Sequence, residues 1–260
     1  MEILVCVKRV PGTLENEIKL NAAKDDIERD DLVYSVNEWD NYAVEEAIQT
    51  VDRLGGSVTV VTVGDEEAEE VLRRELAMGA QKALLLNDPA FAGLDGRGVA
   101  TVLAAAAKRG GYDLILTGAQ ADDGAAQVGG MLAAMLDYPY ASLVNKVEVT
   151  NGKALRISRE VEGGAREISE IELPCVLSIQ TGINEPRYVG IRGLRQVASA
   201  DIPCLGAADL GLDDGALAPR VRREAYFMPE PGMGAEMLEG DTEAIIARLL
   251  EMLKDKGGLK

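Results

Sequence analysis

The residues best equipped for chemistry lie in one stretch, Asp113–Leu136 (DLILTGAQADDGAAQVGGMLAAML). It opens with Leu114-Ile115-Leu116, an apolar run of strand length, and passes through a loop of Gly, Ala and Asp. It ends with Val128, Leu132 and Met135 at helical spacing. A strand, a small-residue loop and a helix N-terminus together make an anion site. The first-turn N–H groups have no acceptor within the helix, and the helix dipole favours negative charge there. The N–H groups of Gln127–Gly130 are expected to point into the loop, with Gly129 and Gly130 letting a phosphate approach the main chain. An ordinary βα turn has the same composition, so these residues leave both readings open.

Other chemistries are excluded by residue type. The chain has no histidine, which removes Ser-His-Asp catalysis, Cys-His pairs and His-ligated metals. Cys6, Cys175 and Cys204 are far apart and form no CxxC, and Cys6 and Cys175 sit in apolar runs. They read as small buried thiols in a reducing compartment. There is no GxxxxGK[ST], no GxGxxG and no SGGxDS-type loop. Glu160, Glu162, Glu167 and Glu170 alternate along a hairpin and read as a solvated face, not an acid/base set. No catalytic constellation and no metal-ligand set stands out. With 27 basic and 44 acidic side chains the net charge is −17, which disfavours nucleic acid and anionic membrane surfaces. The apolar start Ile3–Val7 is too short for a signal peptide, and no run reaches the roughly 20 apolar residues of a membrane span. A soluble cytoplasmic protein is expected.

The elements that must position the loop follow in order. Ile3–Val7 reads as a buried strand, with Lys8 and Arg9 at its C-terminal end. Residues 13–36 form an acidic loop or hairpin excursion. Asn37 or Asp40 caps a helix with the face Val44, Ala47, Ile48, Val51 and Leu54, stopped by Gly55-Gly56. The strand Val58–Val63 follows, then a helix opened by Asp65-Glu66-Glu67. Next come the strand Ala83–Leu86, a helix over Gly98–Arg109 and the strand Leu114–Thr117. This alternation implies an α/β fold, a doubly wound parallel sheet with helices on both faces. Ligands in such sheets sit at the C-terminal strand ends, where the loops after Val7, Val63 and Thr117 fall. From residue 143 an added antiparallel hairpin region is expected, with turns at Asn151-Gly152 and Gly163-Gly164, followed by the core strand Cys175–Gln180. Residues 201–240 lack periodicity and read as an extended arm, ending in a terminal amphipathic helix over Thr242–Leu253. The expected division is a nucleotide-binding domain with hairpin insertion over 1–200 and a C-terminal arm with helix over 201–260, packed on a partner chain.

Several segments resemble the beta subunit of electron-transfer flavoprotein. They are Val5-Cys6-Val7-Lys8-Arg9-Val10; Asn37-Glu38-Trp39-Asp40 with Ala43-Val44-Glu45-Glu46-Ala47; and Leu76-Ala77-Met78-Gly79-Ala80. Further along, Gly118–Gly129 is similar to the family's nucleotide loop, Arg159–Gly164 to its RE[IL][ED]GG, and Asn184-Glu185-Pro186-Arg187-Tyr188 to its NEPRY. The segments span nearly the whole chain in the family's order. Asn37-Glu38-Trp39-Asp40, Ile191-Arg192-Gly193 and Arg222-Arg223 are especially similar to the form that serves trimethylamine dehydrogenase in methylotrophs.

The resemblance implies an electron carrier, not an enzyme. It implies a heterodimer with an alpha subunit that holds most of one FAD, and docking to acyl-CoA or trimethylamine-type dehydrogenases. It implies an AMP without redox role in this chain. By matching position, the AMP would touch the backbones of Cys6 and Val63, the side chain of Asn37, and the loop Asp122, Asp123, Gly124, Ala125, Ala126, Gln127, Val128, Gly129, Gly130, Met131 and Leu132. In electron-bifurcating members a second FAD replaces AMP. Gln127-Val128-Gly129 is similar to that version, while Gly130 stands where it has proline, so both nucleotides stay open. Tyr188, Ile191, Arg192 and Arg195 match the family's docking loop, with Ile191 at the apolar anchor. Two readings of other classes remain: a stand-alone nucleotide-binding regulator of universal-stress type, and an enzyme acting on an adenylate.

Overall fold

Ile3, Leu4 and Val5 are buried on both sides of the central strand, and the rest of the sheet is laid down beside them. The structure is a computed structural model describing residues 1–12, 16–121, 124–150, 152–230, 232, 234–235 and 237–258. It contains two compact units. The first comprises Met1–Lys19 and Ile27–Glu224; the second comprises Leu20–Asp26 and Ala225–Lys260.

In the first unit the elements are β1 (Glu2–Cys6), β2 (Arg9–Pro11), β3 (Tyr34–Val36), α1 (Glu38–Leu54), β4 (Ser57–Val63), α2 (Glu69–Met78), β5 (Lys82–Leu86), α3 (Gly96–Gly110), β6 (Leu114–Gly118) and α4 (Val128–Leu136). They continue with β7 (Tyr140–Val149), β8 (Ala154–Val161), β9 (Ala165–Glu172), β10 (Cys175–Ile179), α5 (Ile191–Val197), β11 (Cys204–Leu205), α6 (Ala207–Leu210) and α7 (Asp214–Leu217). The second unit holds α8 (Thr242–Asp255), begun by an Asp241 carboxylate that accepts the Ala244 N–H. Among the described residues no helix is long and apolar enough to cross a membrane.

Among the described residues nine strands form one sheet in the order β11-β5-β4-β1-β6-β10-β7-β8-β9. From β11 to β7 every pairing is parallel; β8 and β9 add antiparallel. Strand alternation sends Ile3 and Val5 to the face covered by α1 and α2, and Leu4 and Cys6 to the face covered by α3 and α4. The expected doubly wound sheet with an antiparallel extension is therefore present. β7 serves both regimes. It pairs parallel with β10 and antiparallel with β8, and its register shifts near Val144, where Leu143 adopts φ +55.

Three expectations need correction. Asn37 occupies the cap position of α1 but makes no side-chain cap hydrogen bond, and Asp40 lies inside the helix. Residues 201–217 are not a bare arm. β11 pairs with β5, and Leu217 is buried in the core under α3. These elements are two to four residues long, too short to carry a period. Ile191 starts the helix α5, where a loop was expected. The Gly152 side of the β7–β8 turn is described, while Asn151 lies outside the described residues.

Candidate functional site

The chain leaves β1 towards β4 on one side and returns as β6 on the other, so the order reverses between β1 and β6. Side chains cannot fill the crevice at such a reversal, and ligands bind there. A cavity of about 1010 Å³ opens at this point. Its floor is Cys6, Lys8 and Val63 at the ends of β1 and β4. One wall is the β6–α4 segment, and the other is Gly93–Gly96 before α3 with the strap Pro219–Arg223.

Asp40 holds the floor together. From the first turn of α1 its Oδ2 accepts the Lys8 N–H at 2.9 Å and its Oδ1 the Gly118 N–H at 2.8 Å. One carboxyl thus joins the ends of β1 and β6 across the crevice. Burial pushes it up to about 7, against the pull of the hydrogen bonds from Gly118, Asn37 and Lys8. Gly118 permits this approach, because a Cβ there would lie 2.5 Å from Asp40 Oδ1. The Cys6 thiol is pushed up by burial and then by Asp40, which keeps it protonated and unreactive.

The wall is built from α4 inward. Ala126 takes φ +54, a left-handed conformation unusual for a residue with a Cβ, and turns the loop into the helix. Gln127 precedes α4 without capping it by its side chain. That side chain lies against the start of α3, since a Cβ on Gly96 would meet Gln127 Oε1 at 2.8 Å. The N-termini of α3 and α4 therefore border the same space. Asp95 caps α3 through the Gly98 N–H at 2.8 Å, and its other oxygen accepts Arg220 N–H at 2.6 Å and Val221 N–H at 3.0 Å. These bonds, that from Gly98 first, hold its carboxyl below the usual range.

The Electron transfer flavoprotein domain model matches residues 26–210. Electron transfer flavoprotein subunit beta of Methylophilus methylotrophus is 35% identical, covering 99% of this chain and 100% of the relative. The subunit of the same name from Bacillus subtilis is 34% identical over 98% of each chain. Caffeyl-CoA reductase-Etf complex subunit CarD of Acetobacterium woodii is 36% identical, covering 98% and 99%. The chain belongs to the electron transfer flavoprotein beta-subunit family.

The positions expected to contact a nucleotide divide into three groups. Cys6, Asn37, Val63 and Gly124–Gly129 line the cavity. Gly130, Met131 and Leu132 face elsewhere: Gly130 lies against the Tyr140 ring, and Met131 and Leu132 belong to the core under α3 and α4. Asp122 and Asp123 lie outside the described residues. Asn37 is already committed, its Nδ2 donating to Gln120 O at 2.9 Å. Gly129 has a packing duty of its own. A Cβ there would lie 2.3 Å from Ser178 Oγ, within the buried Thr117–Ser178–Tyr140 hydroxyl chain that backs α4. Of the two cations after β1, Lys8 reaches the cavity, while Arg9 stacks 3.7 Å over Tyr34 and pairs with Glu67 at 2.9 Å. Asp40 and the strap were missed as site residues. Asp40 reads in sequence as a helix cap, and nothing local ties residues 219–223 to β6.

The segment expected to dock a partner is clamped at both ends. Arg187 grips the buried Glu45 of α1 with Nε at 2.9 Å and a terminal nitrogen at 3.0 Å. Burial pushes the Glu45 carboxyl up, but the bonds from Arg187 and Gln49 outweigh it and the net shift is down. Asn184 donates to Tyr42 O and Glu46 Oε2. Beyond the segment, Arg73 of α2 donates to the carbonyls of Val197 and Ala200 and pairs with Glu69. Between the clamps Tyr188 is 92% exposed, Ile191 70% exposed, and Arg192 and Arg195 stand in solvent.

Proposed function

We propose that the protein is the beta subunit of a heterodimeric electron carrier, without substrate turnover of its own, that passes electrons from a dehydrogenase to a downstream acceptor. It would hold a structural AMP in the β1–β6 cavity and help enclose an FAD carried mainly by the alpha subunit. The FAD supplies the redox chemistry when bound, and the AMP supplies none. The single observation that carries the nucleotide reading is the cavity, placed at the sheet's reversal point and bordered by two helix N-termini. The residues present fit an adenylate. Small side chains at Gly124, Ala125 and Ala126 keep the wall low, Lys8 offers positive charge, and the Asp40 carboxyl is occupied by backbone donors.

The C-terminal segment with α8 would pack on the alpha subunit through Ile246, Leu249, Leu250 and Leu253, which are about half exposed. Tyr188, Ile191, Arg192 and Arg195 would dock the dehydrogenase, of the acyl-CoA or trimethylamine type, as an apolar centre with a charged rim. The cytoplasm is the compartment that suits the thiols and the charge.

One observation favours a second reading, an electron-bifurcating subunit with a second FAD in place of AMP. At about 1010 Å³ the cavity stands at the upper end of the roughly 300–1,000 Å³ range of small-molecule sites and has room for a dinucleotide. Denaturing the purified two-chain complex and quantifying FAD and AMP by chromatography separates the readings. One FAD and one AMP per heterodimer supports the first. Two FAD and no AMP supports the second, and one FAD with no AMP would remove both.

A further inference from the structure

The strap Pro219–Arg223 forms an outer wall of the cavity although it lies in sequence far from the loops that form the rest. Its root is fixed. Leu217 is buried in the core, and Arg97 of α3 donates to Ala216 O at 3.1 Å. Asp95 Oδ2 holds it over the cavity by taking the N–H groups of Arg220 and Val221. The next residue, Arg222, lines the cavity, is exposed, and forms no ion pair among the described residues, although acids outnumber bases 44 to 27. Among the described residues, the two carboxyls that line the cavity are satisfied internally. Both oxygens of Asp40 accept backbone N–H groups, as do both oxygens of Asp95. The charge that Arg222 brings to the mouth of the cavity is thus not neutralised by these wall residues, and two helix N-termini border the same space. An arginine so placed suits a phosphoryl group, whose oxygens match its fork of donors.

We infer that Arg222 reads the phosphoryl group of the adenylate in this cavity, and that Asp95 is the positioning residue that holds Arg222 there. The inference rests on the nucleotide reading of the cavity. It adds a specificity device outside the β6–α4 loop: nucleotide is told from nucleoside by a residue whose place is set by a helix cap.

The chemistry of Asp95 separates its two duties. Asparagine is as good a helix cap as aspartate. Its amide has only one acceptor oxygen, however, and would turn a donor towards the strap's two N–H groups. Asp95→Asn should therefore keep α3 capped and release the strap. The full-length chain in its two-chain complex, freed of nucleotide, is titrated with AMP and with adenosine by calorimetry. Arg222→Gln should weaken AMP about tenfold, the effect of losing one charge-assisted contact, and leave adenosine unchanged. Arg222→Lys should fall between. Asp95→Asn should lower AMP affinity as Arg222→Gln does, with faster amide exchange at Arg220 and Val221 and unchanged exchange within α3. The AMP-to-adenosine ratio should shrink in high salt, since the contact is at a solvent-facing rim.

The role of Arg222 is overturned if Arg222→Gln binds AMP like the wild type, or loses AMP and adenosine equally. The role of Asp95 is overturned if the strap amides open in Asp95→Asn while AMP affinity holds. If the wild-type complex binds neither AMP nor adenosine, the nucleotide reading itself falls and takes this inference with it.

Discussion

Glu75 is the most exposed point of the fold's energetics, although its side chain is 0% exposed to solvent. It sits on the inner face of α2, and neither carboxyl oxygen has a hydrogen-bond partner among the described residues. Burial pushes it from the ordinary 4.5 up to about 8. Arg74 pulls the other way, and the charges of Asp40 and Glu45 add to the rise. The folded value lies above the unfolded one. Between pH 4.5 and 8 the folded chain keeps a proton that the unfolded chain has released, so stability falls as pH rises through that window and is level above it. Each pH unit inside the window is worth about 1.4 kcal/mol. At pH 7 the buried carboxyl therefore costs about 3 kcal/mol, a large share of the roughly 5–15 kcal/mol that holds a domain folded.

Glu75→Gln keeps the shape and removes the titration; Glu75→Leu removes the unpaired polar atoms as well. Urea unfolding of the full-length protein followed by circular dichroism, repeated from pH 5 to 8, reads the difference. The wild type should lose about 3–4 kcal/mol relative to either variant across that range. Glu75→Leu should be the most stable at pH 8, by about 3 kcal/mol or more. Asp40, also raised by burial, is present in all three proteins, so the difference reports Glu75 together with its coupling to Asp40. Curves that run parallel from pH 5 to 8 would show that Glu75 is solvated or paired in the folded protein, and the reasoning would be refuted.

Two further outcomes are expected. Gly129→Ala should destabilise the protein by about 1–3 kcal/mol, because its Cβ enters the space of Ser178 Oγ. The loss should shrink when combined with Ser178→Ala, and simple additivity in that double-mutant cycle would count against the packing account. Ile191→Ala should slow flavin reduction by the partner dehydrogenase about tenfold or more, while melting temperature and nucleotide content change little, since the side chain is 70% exposed. A sharp drop in melting temperature with normal electron transfer would make Ile191 a core residue.

The parallel sheet was legible because its strands are continuous apolar runs separated by helices with a clear face. Val44, Ala47, Ile48 and Val51 lie where their spacing puts them. The hairpins were legible from the glycines at their turns, Gly152 and Gly163-Gly164. β11 was not. It is two residues long, follows Pro203, and exists because its edge finds Leu85 and Leu86, partners distant in sequence. The site was half legible. Strand ends and the loop after β6 follow from topology, but Asp40 and Asp95 each serve two segments at once. A sequence shows a cap residue, not the second segment that its other oxygen holds. Gly129 shows the same limit, because a glycine announces that something comes close without saying whether it is a ligand or Ser178.

The central position of β1 has a consequence for how the chain is made. It is made before both strands that flank it, and one of its edges has no partner until β6 exists, joined through Glu2 N–H to Asp113 Oδ2 across 111 residues of sequence. Its other neighbour, β4, arrives sooner. At ribosomal speeds the gap between β4 and β6 is on the order of 3–10 s, during which Ile3-Leu4-Val5 is an unpaired apolar edge. Such a segment invites pairing with another nascent chain. Glu2 on one side and Lys8 and Arg9 on the other place charges at both ends of the run, the arrangement that discourages such encounters. Substituting these charges should lower the yield of folded protein in the cell more than the stability of the molecules that do fold.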